Sequence, residues 1–385
     1  MDQKVQNFFR VFEFVGASPY KFTLIPGTGD FFIKAKPSSQ LKAWGFYLTV
    51  GFLHLIKTSF FLAHLFQNYL EKEDYKRIVF HGIYFTSYIS ILFQTLPFSV
   101  GRIETMQLGN GATFFIHNFG KGISMPIFRK STKLKLRVIL FFCCNAINAQ
   151  FLFMAIFIIF REDAWNHGSN VYKLFQFMGS PLIISIGAGS IMEAYYFFTV
   201  WGVFILEMYF NIIFFQAFTI TVGQLTNPSA KTFSEMYQNY KSYNQLRLLL
   251  SLYNNTFGRL YIPYVTSCFG TICVLGVFVS IKLAYLRDVI IMITGIFSIF
   301  FFGPVVLVLT TFTGWIHENS KKVKRHLNSQ GQGFSGKLAR RILRAVKVVA
   351  VKSGNFYDIH KITSLTLLGM LANFSVSLLL SVESN

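Results

Sequence analysis

Seven apolar runs constrain this chain more than any other feature: 43–66, 78–100, 138–160, a stretch within 174–218, 260–284, 289–313 and 362–382. Each is close to the ~20 residues a helix needs to cross a bilayer. Within lipid a segment must satisfy its own backbone hydrogen bonds, so runs of this length fold as helices. Hydrophobic residues make up 53% of the chain and charged residues only 14%. A soluble domain cannot hide that much apolar surface. The expected fold class is all-α: a polytopic membrane protein with seven transmembrane helices.

Lys and Arg orient the helices. The basic segments are 1–42, 101–137, 219–259 and 314–361, whereas 67–77, 161–173 and 285–288 are short and nearly balanced. Cytosolic loops carry the excess of Lys and Arg, which predicts a cytosolic N-terminus and an extracellular C-terminus. The net charge of +20 is accounted for by this loop bias facing anionic lipid, so no nucleic-acid partner is expected. Residues 1–42 lack the apolar core of a signal peptide. The expected organisation is a cytosolic N-terminal segment (1–42), helices one to four (43–218) and a cytosolic helical anchor segment (219–259). Helices five and six (260–313), a basic cytosolic segment (314–361) and the last helix (362–385) follow.

Some segments carry more specific expectations. The fourth apolar region is longer than one crossing needs. A crossing near 184–210 is expected, with Pro181, Gly187 and Gly189 ending a separate piece before it and a helical extension after it. Tyr240, Leu246, Leu249, Leu250 and Tyr253 recur at helical spacing and predict a cytosolic helix running into the fifth crossing. FSGKLARRILRAVKVVAVKS (334–353) reads as one cationic helix with Leu338, Ile342, Ala345 and Val349 on one side. GNFYDIHK (354–361) reads as a hinge before the terminal crossing.

Chemistry-bearing motifs are sparse. The eight His are scattered, and no HExxH, nucleophile elbow or phosphate loop is present. Gly109 to Phe115, GNGATFF, follows no strand and lacks a P-loop lysine, so it reads as a loop turn. Cys143, Cys144, Cys268 and Cys273 all fall within apolar runs, which argues against a disulfide framework, and none has metal spacing. No enzymatic activity, cofactor or metal is expected. Glu193 is the acidic residue deepest in a crossing, with Glu207 nearer the cytosolic end of the same run. Such a carboxyl faces either a cavity or a hydrogen-bonding neighbour. Asn254-Asn255-Thr256 and Asn373-Phe374-Ser375 match the glycosylation sequon, but one lies in an expected cytosolic helix and the other in a crossing.

Several stretches together resemble the arthropod gustatory receptor family, within the insect chemoreceptor superfamily of seven-helix ligand-gated channels. They are FFRVFEFVGASPYKF near the N-terminus, YNQLRLLLSLYNNTFGRLYIPYV before the fifth crossing, WIHENSKKVKRHL after the sixth, and GNFYDIHKITSLTLLGMLANFSVSLLL at the end. The family signature there is Thr-Tyr, five hydrophobic residues, then Gln-Phe. This chain keeps the spacing but has Asn373-Phe374 and Leu380-Ser381 at those places.

The resemblance implies a homo- or heterotetramer in the plasma membrane, each subunit lending its last helix to a central pore for monovalent and divalent cations. On that model Asn373, Ser377, Leu380, Ser381 and Ser384 are the pore and gate candidates. A ring of Leu380 could close the path by dewetting. The alternative is that Ser and Asn hydrogen-bond between packed helices. A pocket for a small organic ligand is expected among His81, Tyr84, Tyr88, Gln150, Glu193, Tyr195, Tyr196, Thr294 and Phe297, for each of which core packing is the alternative. Two other functions stay open: a G-protein-coupled receptor, with opposite sidedness, and a transporter or non-channel membrane protein of this topology.

Overall fold

The computed structural model of the chain describes residues 18–24, 31–37, 40–67, 72–120, 182–226, 232–283, 289–332 and 337–381. The third apolar run, with Gln150, lies outside them. The chain forms two compact units: Met1–Gly51 with Ser124–Ile212, and Phe52–Ile123 with Ile213–Asn385.

The first unit holds a feature that the search for helices did not anticipate. Strands β1 (Tyr20–Leu24) and β2 (Phe31–Ala35) form an antiparallel hairpin with Tyr20 opposite Ala35 and Leu24 opposite Phe31. The signal is a period of two, which places alternate side chains on opposite faces. Tyr20, Phe22 and Ile33 are buried while Lys21, Thr23, Phe32 and Lys34 are exposed. Tyr20 packs 5.8 Å from the ring of Phe210, and Phe22 meets Tyr209 edge-on at 6.1 Å. Helix α1 (Lys42–Gln67) starts beyond the hairpin, with Trp44 and Tyr47 buried against each other at 5.5 Å.

Phe210 and Tyr209 belong to α4 (Leu182–Thr226), which follows α2 (Lys72–Ser99) and α3 (Arg102–Gly120). At 45 residues, α4 is roughly 67 Å long, twice the hydrocarbon thickness. It runs unbroken through Gly187 and Gly189, so neither glycine ends a piece, and Pro181 lies outside the described residues.

In the second unit, α2 ends two residues past Pro97, and the chain turns at Val100 and Gly101. The Thr105 hydroxyl donates to the Pro97 carbonyl at 2.8 Å, tying α3 to the end of α2. The expected loop at GNGATFF is therefore corrected to helix: Gly109 to Phe115 lie inside α3. A Cβ on Gly111 would lie 3.0 Å from Leu249 Cδ1, so the glycine serves close approach to α5 (Phe233–Tyr253) rather than a turn. Helix α5 opens on a capping box in which the Glu235 N–H donates to Thr232 Oγ1 and the Thr232 N–H to the Glu235 carboxylate.

Helix α5 then passes through a π-wound segment, Asn254–Tyr261, directly into α6 (Ile262–Phe278), and a second π turn, Val279–Leu283, ends it. Helix α7 (Val289–Gln332) is 44 residues long, and a short helix α8 (Lys337–Ala345) follows. Helices α6 and α7 cross at glycines. A Cβ on Gly276 would lie 2.8 Å from the Gly295 carbonyl oxygen, so small residues let the two backbones nearly touch.

Aromatic rings fill the core where α4, α5 and α7 meet. Phe214 stacks on Tyr253 at 4.0 Å, Tyr253 on Phe257 at 5.5 Å, Phe215 lies 5.5 Å from Phe312 and Phe218 6.2 Å from Trp315. Among the described residues four helical stretches are long and apolar enough to span a bilayer: Gly202–Thr226, Ile262–Lys282, Gly295–Gln330 and Thr363–Ser381.

Candidate functional site: the terminal helix and its mooring

Of the cationic helix expected over 334–353, only Lys337–Ala345 is helical among the described residues. Past Ala345 the sequence is VKVVAV, whose β-branched residues lose side-chain freedom in a helix. Residues 346–351 instead run as an extended strap, with Val346 and Val351 buried. Its backbone polar groups find partners on the helices beneath. Tyr243 Oη donates to the Lys347 carbonyl at 2.7 Å, and the Val349 N–H donates to Ser320 Oγ at 2.7 Å. Asn254 binds on both sides: its Nδ2 donates to the Ala350 carbonyl at 3.1 Å, and its Oδ1 accepts from the Lys352 N–H at 3.0 Å. Arg247 reaches the Ala345 carbonyl at 3.4 Å. Burial pushes the Tyr243 phenol above its ordinary range, with Ser320 and Arg247 pulling part of the way back. The Asn254 amide nitrogen, the atom a sequon would glycosylate, is thus engaged within the fold.

The expected hinge is a small hairpin. Strands β3 (Lys352–Ser353) and β4 (Tyr357–Asp358) pair antiparallel around a turn at Gly354, which takes φ 62°. That left-handed conformation suits glycine. The Gly354 N–H donates to the Gly258 carbonyl at 2.8 Å, and a Cβ on Gly258 would lie 2.9 Å from the Lys352 carbonyl oxygen. The hairpin therefore rests on the π-wound backbone itself. Its exit rests on α7, where a Cβ on Gly314 would lie 2.7 Å from the His360 oxygen. Residues 360–363 turn into the last helix. The Thr363 N–H donates to the His360 carbonyl, and Thr363 Oγ1 accepts from the His360 N–H, both at 3.0 Å.

Helix α9 (Thr363–Ser381) keeps no fully buried residue. One stripe, Ser364, Leu367, Leu371, Ser375 and Leu378, is half-buried, and Leu371 presses on Gly270 of α6. The opposite side is bare. Asn373, Ser377 and Ser381 are exposed, and Leu380 is 75% exposed. Asn373, Ser377 and Leu380 thus share one uncovered face, while Ser384 lies outside the described residues. The Ser381 hydroxyl donates to the Leu378 carbonyl of its own helix at 2.9 Å.

The ligand set is less fully described. His81, Tyr84 and Tyr88 lie on α2, Glu193, Tyr195 and Tyr196 on α4, and Thr294 and Phe297 on α7. Phe297 stacks on Phe301 at 5.5 Å. Among the described residues no group of three His, Cys, Asp or Glu stands together to hold a metal ion.

Three further features stand out. Phe93 of α2 stacks flat on Tyr264 of α6, with centroids 3.5 Å apart. Glu207 is fully buried, and neither carboxyl oxygen has a hydrogen-bond partner. His317 and His360 meet edge to face at 4.3 Å.

No family model and no curated protein matches the chain. Solved structures do. The insect olfactory receptor OR5 from Machilis hrabei matches with a TM-score of 0.65 at 10% identity over 98% of both chains. The same receptor in complex with eugenol matches with a TM-score of 0.60 at 10% identity over 99% of both. The chain therefore has the multi-span helical fold of an insect olfactory receptor from end to end.

Proposed function

We propose that the chain is a chemosensory receptor of the insect chemoreceptor superfamily, working as one subunit of a ligand-gated cation channel, with its N-terminus in the cytosol. The observation that carries the reading is α9. An apolar helix at the end of an olfactory-receptor fold presents a bare face bearing Asn373, Ser377 and Leu380, which suits it to line a shared conduit rather than to pack within one subunit. Four copies around an axis would cover that face. The ligand is a small organic molecule, as eugenol is for OR5. The gustatory branch is favoured by the sequence motifs at both ends of the chain.

Current recording from cells expressing the chain, alone and with a co-receptor subunit, tests this. The expectation is an agonist-evoked cation current whose basal level or agonist sensitivity changes in Leu380→Ala. Surface-expressed protein that passes no current under either condition overturns the channel assignment. Leu380-Ser381, standing where the family pattern has Gln-Phe, favours a non-channel protein of the same fold as the second reading, and that outcome would select it.

A further inference from the structure

The start of α9 is held against α7 by a contact between two imidazoles. Helix α7 is far longer than a crossing. From Gly295, about 20 residues complete the span by Gly314, and the charged tail beyond carries Glu318, Lys321, Lys322, Lys324 and Arg325. His317 is the first titratable group past that point. Its ring lies 4.3 Å from that of His360, edge to face at 73°. His317 Nδ1 is buried with no hydrogen-bond partner. One turn earlier, Gly314 leaves just enough room for the His360 carbonyl, and His360 caps α9 through Thr363. The ring contact, the glycine seat and the cap therefore meet at one place, the start of α9.

We propose that the His317–His360 pair is a proton-operated latch: neutral, it seats the start of α9 on α7, and on acidification it releases that start. The charged groups around it define the balance. On α7, Lys321 opposes a charge on His317 and Glu318 favours it, although Glu318 is also bound to Lys321 at 3.1 Å. From the hairpin, Asp358 favours the charge and His360 opposes it. Lys361 follows His360 in sequence. Burial, then His360 and Lys321, hold His317 below its ordinary value. The released imidazole therefore binds protons more readily than the seated one. By linkage the seated state is fully favoured above about pH 6.5 and loses ground as pH falls below it. Two cationic rings at this separation repel.

The latch adds regulation to the channel reading, and the test separates the two. Spin labels at Lys322 of α7 and Asn355 of the hairpin turn, both exposed, report the seat in the full chain in nanodiscs, sparsely labelled. Between about pH 7.5 and about pH 5.5 the inter-label distance should lengthen, and His317→Gln and His360→Gln should each abolish the change. His360 is exposed, so its variant carries the test if His317→Gln misfolds. A wild-type distance that stays constant over this range overturns the latch, as does a shift of equal size in the His360→Gln chain. In cells, acid should alter the agonist-evoked current of wild type and leave that of His360→Gln unaltered. A pH-dependent distance in a chain that carries no current at any pH supports the latch while removing the channel function.

Discussion

Asn254→Ala removes both side-chain hydrogen bonds that pin the strap where it becomes the hairpin, those to the Ala350 carbonyl and from the Lys352 N–H. Neutral hydrogen bonds of this kind each contribute about 1 kcal/mol net. Their joint loss should lower the free energy of local opening by about 2 kcal/mol, an increase in the open population of about 30-fold. The helices beneath keep their own bonds, so the effect should be confined. Hydrogen–deuterium exchange of the intact protein in nanodiscs reads it directly. Peptides covering 346–360 should exchange faster by roughly that factor, because the Gly354 and Ile359 amides are bonded to the Gly258 and Val351 carbonyls and share the opening. Peptides from the centre of α6 should be unchanged. Asn255→Ala is the control, since Asn255 sits beside Asn254 on the π segment but is exposed. If Asn254→Ala leaves exchange of the strap within about twofold of wild type, the strap is held by the burial of Val346 and Val351, and the hydrogen-bond account fails.

Other substitutions probe other joints. Gly314→Val would drive a side chain into the backbone at His360 and Lys361. It should cost about 1–3 kcal/mol and raise exchange at the start of α9, whereas Gly369→Ala, with open space around it, should be silent in the same measurement. Gly276→Leu would force α6 and α7 apart at the Gly295 carbonyl. It should lower the thermal unfolding temperature by several degrees in a fluorescence melt, and an unchanged melt would contradict the close crossing. Alanine at Tyr84 and Tyr195 together should weaken the response to at least one agonist in current recordings. Intact responses to every agonist would remove both from the ligand set. An epitope tag at the N-terminus should be reached by antibody only after permeabilisation, and labelling of intact cells would favour a G-protein-coupled receptor.

The apolar runs made the long helices visible, because burial in lipid writes itself into composition. Gly187 and Gly189 read as breaks because glycine is a poor helix former in water, a weaker force than the demand for internal hydrogen bonding within a bilayer. What stayed hidden was structure built from backbone. Gly109 and Gly111 read as a turn, yet the Leu249 side chain on another helix decides that position. The strap reads as helix until its carbonyls and amides are seen bonded to Tyr243, Asn254 and Ser320, roughly 30 to 100 residues away in the chain. No local pattern encodes such pairings. Asn373, Ser377 and Leu380 recur at helical spacing in the sequence, but their exposure belongs to the folded chain.

The strap has a consequence for how such proteins diverge. Its moorings grip main-chain atoms, which every residue except proline supplies alike at an amide and which all supply at a carbonyl. Lys347, Val349, Ala350 and Lys352 can therefore drift while the mooring persists, provided that Tyr243, Ser320 and Asn254 keep their hydroxyls and amide. A lineage under this rule would scatter its fixed positions singly along distant helices and leave the terminal segment to wander. Wide change in the sequence of the terminal segment is then compatible with an unchanged mooring.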